Sequence, residues 1–189
     1  FNQGINVSSC INCGQCIMHC PTAALHERTS FNSVSKALHQ PEKHVIAIAD
    51  TAIGVSLAEE FGLKPGKDLS GLLNTTLRAI GFDAVYDTAF GADMYISELV
   101  HELTERKKAG NSRPLLTNHC PAWIKHAEQT KPDLLKDVTT TLPPQQQLAK
   151  ILKTYYAEKK NIKPSDVFVV SLNTCTAKKK KTTRKPNLP

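Results

Sequence analysis

The stretch His44-Val-Ile-Ala-Ile-Ala49, followed at once by Asp50-Thr-Ala-Ile-Gly-Val-Ser-Leu-Ala-Glu-Glu-Phe61, decides the fold class. Six residues of mostly apolar, partly β-branched character read as a strand, and Ala52 to Phe61 read as the helix behind it. The same alternation continues on both sides. Upstream, Ser30 to Gln40 reads as a short helix with Asn32 as its cap and Pro41 as its stop. Downstream, Asp68 caps a helix whose Leu69, Leu72, Leu73, Leu77 and Ile80 recur at helical spacing, and Asp83 to Tyr86 is a short strand. Ala89 to Lys108 is a long helix and Pro114 to Thr117 a strand. Trp123 to Thr130 and Pro144 to Lys159 are helices, and Val167 to Leu172 is a β-branched buried strand. Repeated β-α-β-α order predicts an α/β fold, a parallel sheet covered by helices. Residues 1–28 stand apart as a small cysteine module, so the expected domains are 1–28 and 29–189.

With 189 residues, 40% hydrophobic and 22% charged, the chain has an ordinary globular composition, which excludes fibrous and disordered classes. The weakly polar run from Val45 to Ala58 is interrupted by Asp50 and is well short of the ~20 residues that span a bilayer. No membrane span is expected. The chain opens with Phe-Asn-Gln-Gly and no secretory pattern precedes its cysteines, so the N-terminus reads as trimmed. The net charge of +7 suggests nucleic acid until it is located. Lys178, Lys179, Lys180, Lys181, Arg184 and Lys185 carry six of the 24 basic residues, leaving 18 against 17 acids elsewhere. Without interleaved aromatics, the basic tail 178–189 reads as a solvated run and not as a nucleic-acid site.

Gly62-Leu-Lys-Pro-Gly66-Lys67-Asp68 is one residue short of a phosphate-binding loop, has Asp where Ser or Thr must reach Mg²⁺, and follows a helix. It reads as a turn.

Four of the six cysteines fall within Cys10-Ile-Asn-Cys13-Gly-Gln-Cys16-Ile-Met-His-Cys20-Pro21. CxxCxxC lets one short loop offer three thiolates to a compact inorganic core, and the full spacing CxxCxxCxxxCP is that of the bacterial ferredoxin run. Gly14 permits the tight backbone, and Pro21 ends the loop and starts a short helix, Thr22 to Glu27. Zinc would want two separated pairs, and a disulfide framework would want spread cysteines. The candidate ligands of a [4Fe-4S] cluster are therefore Cys10, Cys13, Cys16 and Cys20. In two-cluster ferredoxins the fourth cysteine serves the other cluster. Either all four hold one cubane, or a further run lies upstream of Phe1 or on a partner chain.

Cys120 and Cys175 are each three residues past an expected strand, Pro114 to Thr117 and Val167 to Leu172. In parallel sheets, cofactors collect where the loops after the strands converge, so the two lone thiols are expected on one rim.

The segments Glu59-Glu-Phe-Gly62, Gly81 to Glu98, Cys120-Pro-Ala-Trp123, Pro144-Gln-Gln146 and Cys175-Thr-Ala-Lys-Lys179 resemble the iron-only (FeFe) hydrogenase family, in the family's order and behind the same ferredoxin run. The resemblance implies a catalytic H-cluster, a [4Fe-4S] cubane joined through a cysteine to a two-iron unit bearing CO and cyanide. Cys120 and Cys175 match the first two of its four cysteines. The final two belong to a later glycine-rich motif without counterpart up to Pro189, so the catalytic domain is expected to be incomplete. Lys178 resembles the lysine that pairs with a cyanide ligand, and Gln145 the glutamine whose amide faces the two-iron unit.

The departures are as specific. His119 stands where the family has the cysteine that hands protons to the distal iron. Along the implied proton path Glu102 and Arg106 match, Thr139 stands for a serine, and Leu99 stands for a glutamate that it cannot replace. Asn173-Thr174, Asp50-Thr51, Gly54 and Lys181 also differ from the family's residues. Two readings follow from the resemblance. One is an iron-sulfur oxidoreductase that interconverts H2 with protons and electrons through a [4Fe-4S] relay. The other is a non-catalytic electron-transfer, sensory or iron-sulfur assembly protein. A third takes the chain as a ferredoxin-like carrier joined to an unrelated α/β domain, and it requires Cys120 and Cys175 to lie apart. The expected partner is a ferredoxin-like or other redox protein. The expected compartment is the cytoplasm or the interior of an anaerobic organelle, because several unpaired thiols and low-potential clusters suit a reducing setting.

Overall fold

The computed structural model describes residues 8–181, with side chains to Lys179. In chain order the elements are α1 (Gln15–Met18), α2 (Phe31–Leu38), β1 (His44–Ala49), α3 (Thr51–Glu60), α4 (Ser70–Ile80), β2 (Ala84–Asp87), α5 (Ala89–Lys108) and α6 (Pro121–Thr130). A 3-10 turn (Pro132–Asp137), α7 (Pro144–Ile151), a π turn (Leu152–Tyr156), α8 (Ala157–Lys159), β3 (Val167–Leu172) and α9 (Thr176–Lys181) complete the order. The chain divides into two compact units.

One unit comprises residues 29–95 and 143–174. It holds a three-stranded parallel sheet in the order β2-β1-β3, with Ile46 opposite Ala84 on one side and Val169 on the other. Alternation along central β1 divides the core in two. Ile46 and Ile48 pack with Leu148, Leu152 and Ala157, whereas Val45 and Ala47 pack with Ala37, Leu77 and Phe82. A central strand buried on both faces explains the unbroken apolar run that opened the sequence analysis, and the α/β class is as expected.

The second unit comprises residues 8–28, 96–142 and 175–181 of the described chain. It is built from the cysteine loop, most of α5, α6, the 3-10 turn and α9, and α6 packs against α9.

Four local expectations change. Pro114 to Thr117 is no strand of the sheet: Leu116 makes one parallel bridge to Val138, its N–H donating to Asp137 O at 2.9 Å while Thr139 N–H donates back at 2.8 Å. The rim argument for Cys120 therefore fails. No helix forms over Thr22 to Glu27, where Ala23 takes a left-handed conformation (φ 51°), and the helical turn of the loop is α1, ahead of Pro21. Asn32 lies inside α2, whose cap position is Ser30, with Thr29 Oγ1 accepting from Phe31 N. The helix expected over Pro144 to Lys159 contains the π turn. The Gly62 to Asp68 segment is a turn, and Asp68 accepts from Ser70 N at 2.8 Å at the start of α4, one residue ahead of the cap position Leu69.

Candidate iron-sulfur centre

Gly14 sits at φ +82°, a left-handed conformation that lets the loop reverse between Cys13 and Cys16. Its Gly14 carbonyl then accepts from Ile17 N, starting α1. Three side chains hold the loop by its carbonyls. Gln129 Nε2 donates to Ser8 O at 3.2 Å, Lys125 Nζ donates to Cys10 O, and Thr176 Oγ1 donates to Asn12 O at 2.9 Å. The carbonyls of Ser8, Cys10 and Asn12 are thus drawn onto α6 and α9. Lys179 adds a fourth tie, with Nζ 2.8 Å from Glu27 Oε2 and 3.0 Å from Arg28 O, so this part of the basic tail is helical and docked.

Each lone cysteine stands at the head of one of these helices. Cys120 is the N-cap of α6, and its Sγ accepts from Trp123 N at 3.5 Å. Cys175 directly precedes α9, and its carbonyl accepts from Lys178 N at 3.2 Å. The thiol of Cys120 is exposed and that of Cys175 half-buried. The two α-helices touch, so the structure brings together the segments that carry Cys10, Cys120 and Cys175.

All six cysteines are free thiols, and among the described residues no three His, Cys, Asp or Glu side chains are gathered as ligands of one ion. The donor set nonetheless fits an iron-sulfur group. Backbone N–H groups already point at sulfur, Asn12 N at Cys10 Sγ (3.4 Å) and Trp123 N at Cys120 Sγ, and the Thr22 hydroxyl lies 3.6 Å from Cys20 Sγ. Such bonds stabilise thiolate, the form that binds iron. At Cys20 the Thr22 hydroxyl, then the Leu25 and Thr22 N–H groups, bring the thiol down to about 7.

The residues of the expected proton path also assemble. Buried Thr139 donates its hydroxyl to Glu102 Oε2, and Arg106 lies 3.4 Å from Glu102 Oε1. Glu102 lines an open groove of about 790 Å³ along α5, shared with Glu98, His101, Glu105, Arg106 and Thr141. Asn118 Nδ2 donates to Thr139 O (3.2 Å) and Thr141 O (2.7 Å), which ties the segment of exposed His119 to this network. Leu99 is half-buried on α5. Lys178 is half-buried on α9, and Gln145 lies half-buried on α7 in the sheet unit. Sequence reasoning missed Lys125, Gln129, Thr176 and Asn118, whose partners are distant in sequence.

Residues 43–187 match the model of the iron only hydrogenase large subunit, C-terminal domain, and residues 4–26 the 4Fe-4S binding domain. The NADP-reducing hydrogenase subunit HndD of Solidesulfovibrio fructosivorans is 40% identical over 95% of this chain and 32% of its own length. The cytosolic Fe-S cluster assembly factor narfl of Xenopus tropicalis is 28% identical over 95% of this chain and 40% of its own. Among solved structures, a variant of the apo [FeFe]-hydrogenase HydA1 from Chlamydomonas reinhardtii superposes with a TM-score of 0.74 at 39% identity, covering 83% of this chain and 41% of that one. The chain spans less than half the length of each of these relatives.

Proposed function

From the premise that this chain belongs to the iron-only hydrogenase family and carries an iron-sulfur module, we propose that it serves reversible H2 oxidation and proton reduction, with electrons entering through the Cys10 to Cys20 loop. The observation that carries the reading is the dock of that loop on α6 and α9, the two helices headed by Cys120 and Cys175. An electron acceptor held by the loop and a centre held by the lone cysteines would share one packed unit. The external partner is a redox protein, and a reducing compartment suits the exposed thiols.

The bound centre, a cubane joined to a two-iron unit, supplies the cleavage and formation of H2. The chain's own residues do the rest. Cys120 and Cys175 would be two of the cysteines that hold the centre. Lys178, on the same unit, would bring an ammonium to its anionic ligands. Glu102 takes up a proton from the groove at the carboxylate held between Arg106 and Thr139. Leu99 offers no acid, so His119, beside Cys120, is the last donor.

A second reading has its own support: the assembly-factor relative matches over 95% of the chain, and His119 and Leu99 both depart from the hydrogenase pattern. The two are separated by anaerobic maturation of the protein followed by infrared spectroscopy and an H2 assay. Bands of bound CO and cyanide with H2 turnover are expected. Cubane iron alone, with a blank assay, selects the non-catalytic reading.

A further inference from the structure

Lys125 is only 6% exposed, on the face of α6 turned to the cysteine loop. Among the described residues its ammonium is met by the Cys10 carbonyl and by no carboxylate. A buried cation left without an anion is costly, and its retention asks for a negative partner that arrives with loading. Four thiolates around a [4Fe-4S] core supply one, because the assembly carries net negative charge that grows by one on reduction.

We propose that Lys125 is the positioning and potential-setting residue of the cluster held by Cys10, Cys13, Cys16 and Cys20. The inference rests on the reading that this loop holds such a cluster. Its geometry has two parts. Lys125 and Gln129, four residues apart on one face of α6, take the carbonyls of Cys10 and Ser8, and Thr176 takes that of Asn12. The negative ends of those peptide dipoles are thereby held on the helices, while the Asn12 N–H faces Cys10 Sγ. The ammonium then acts on the one-electron step in which the oxidised cluster accepts an electron from the redox partner, with no bond made or broken and no proton moved. A fixed positive charge favours the more negative, reduced state and raises the midpoint potential. Because α6 is capped by Cys120, the same helix seats both the entry cluster and the first ligand of the inner centre.

The test is an anaerobic redox titration of the reconstituted full chain, followed by electron paramagnetic resonance, with the loop cluster identified by its absence in Cys13→Ser. Lys125→Met is expected to lower the reduced-to-oxidised ratio about tenfold at fixed potential, or about 59 mV for a one-electron couple, with iron content unchanged. Lys125→Arg, which keeps the charge, is expected to stay close to the parent. If Lys125→Met loses iron, Lys125→Gln keeps a donor for the Cys10 carbonyl without the charge and is expected to show the same lowering. Loss of iron from both neutral variants but not from Lys125→Arg also supports the proposal, since the charge then holds the loop's cluster. An unshifted midpoint in a loaded neutral variant, or iron loss from all three, overturns it. An unsubstituted chain that binds no iron overturns the underlying reading as well.

Discussion

Thr176 occupies the space that Gly14 leaves empty: a Cβ on Gly14 would lie 2.7 Å from Thr176 Oγ1 and 3.2 Å from its Cγ2. Gly14→Ala therefore meets two penalties, about 1–2 kcal/mol for a left-handed alanine and a steric clash with the side chain that binds Asn12 O. Iron bound per chain should fall. Gly14→Ala combined with Thr176→Ala should recover part of it, since the clash is removed and the backbone penalty stays. An iron assay on the two single variants and the double variant reads this coupling.

Cys20 makes a prediction in pH. Its thiol is at about 7, held there first by the Thr22 hydroxyl and then by the Leu25 N–H. The thiolate fraction rises with pH through that value, from roughly a tenth at one unit below to roughly nine-tenths at one unit above. Alkylation of Cys20 in iron-free protein, followed by peptide mass spectrometry, should be half-maximal near pH 7. In Thr22→Val the midpoint should move up, because the largest stabiliser of the thiolate is gone.

Gly91, on the first turn of α5, lies against α7: a Cβ there would be 2.3 Å from Pro144 O and 3.1 Å from Leu148 Cβ. Backbone cannot yield as a flexible side-chain tip does. Gly91→Ala should cost about 1–3 kcal/mol, seen as a lower melting temperature with helical content retained.

The sheet was legible where period and chemistry agree. β1 and β3 were expected at their observed bounds because β-branched and small apolar residues run unbroken between polar flanks, and α5 because Ala89 to Lys108 holds no proline and its single glycine, Gly91, falls in the first turn. The bridge at Leu116 was misread because one pairing has the same local apolar signal as a strand, and only the partner Val138 distinguishes them. The residues after Pro21 were misread because Ala23 turns into the left-handed conformation, which its helix propensity does not foretell. The π turn leaves no trace in composition. At the centre, cysteine spacing revealed the ligands, but Lys125 looks like any helix lysine until Cys10, 115 residues away, is seen against it.

Thr139 is fully buried and has two jobs, donating to Glu102 and accepting from Thr141 N at 3.1 Å. Thr139→Val keeps the shape and strands both partners, so it should lower stability by about 1–3 kcal/mol in urea unfolding. Thr139→Ser keeps the hydroxyl and should lose less. In matured enzyme, Thr139→Val should also slow H2 evolution about 100-fold or more, while Thr139→Ser stays near the parent.

His119 is the sharpest departure from the family's residues, and it precedes the cap of α6 by one position. If it is the last proton donor, removing its ring should slow proton reduction, and the family's thiol at the same position should serve in its place. His119→Ala should therefore slow proton reduction about 100-fold or more, and His119→Cys should stay close to the parent. That pair of outcomes, with the two-iron unit loaded in all three proteins, is the expected result in a film-electrode assay. An unchanged rate in His119→Ala would assign the last proton transfer to another group, and the groove at Glu102 would then need a route that bypasses the segment tied down by Asn118.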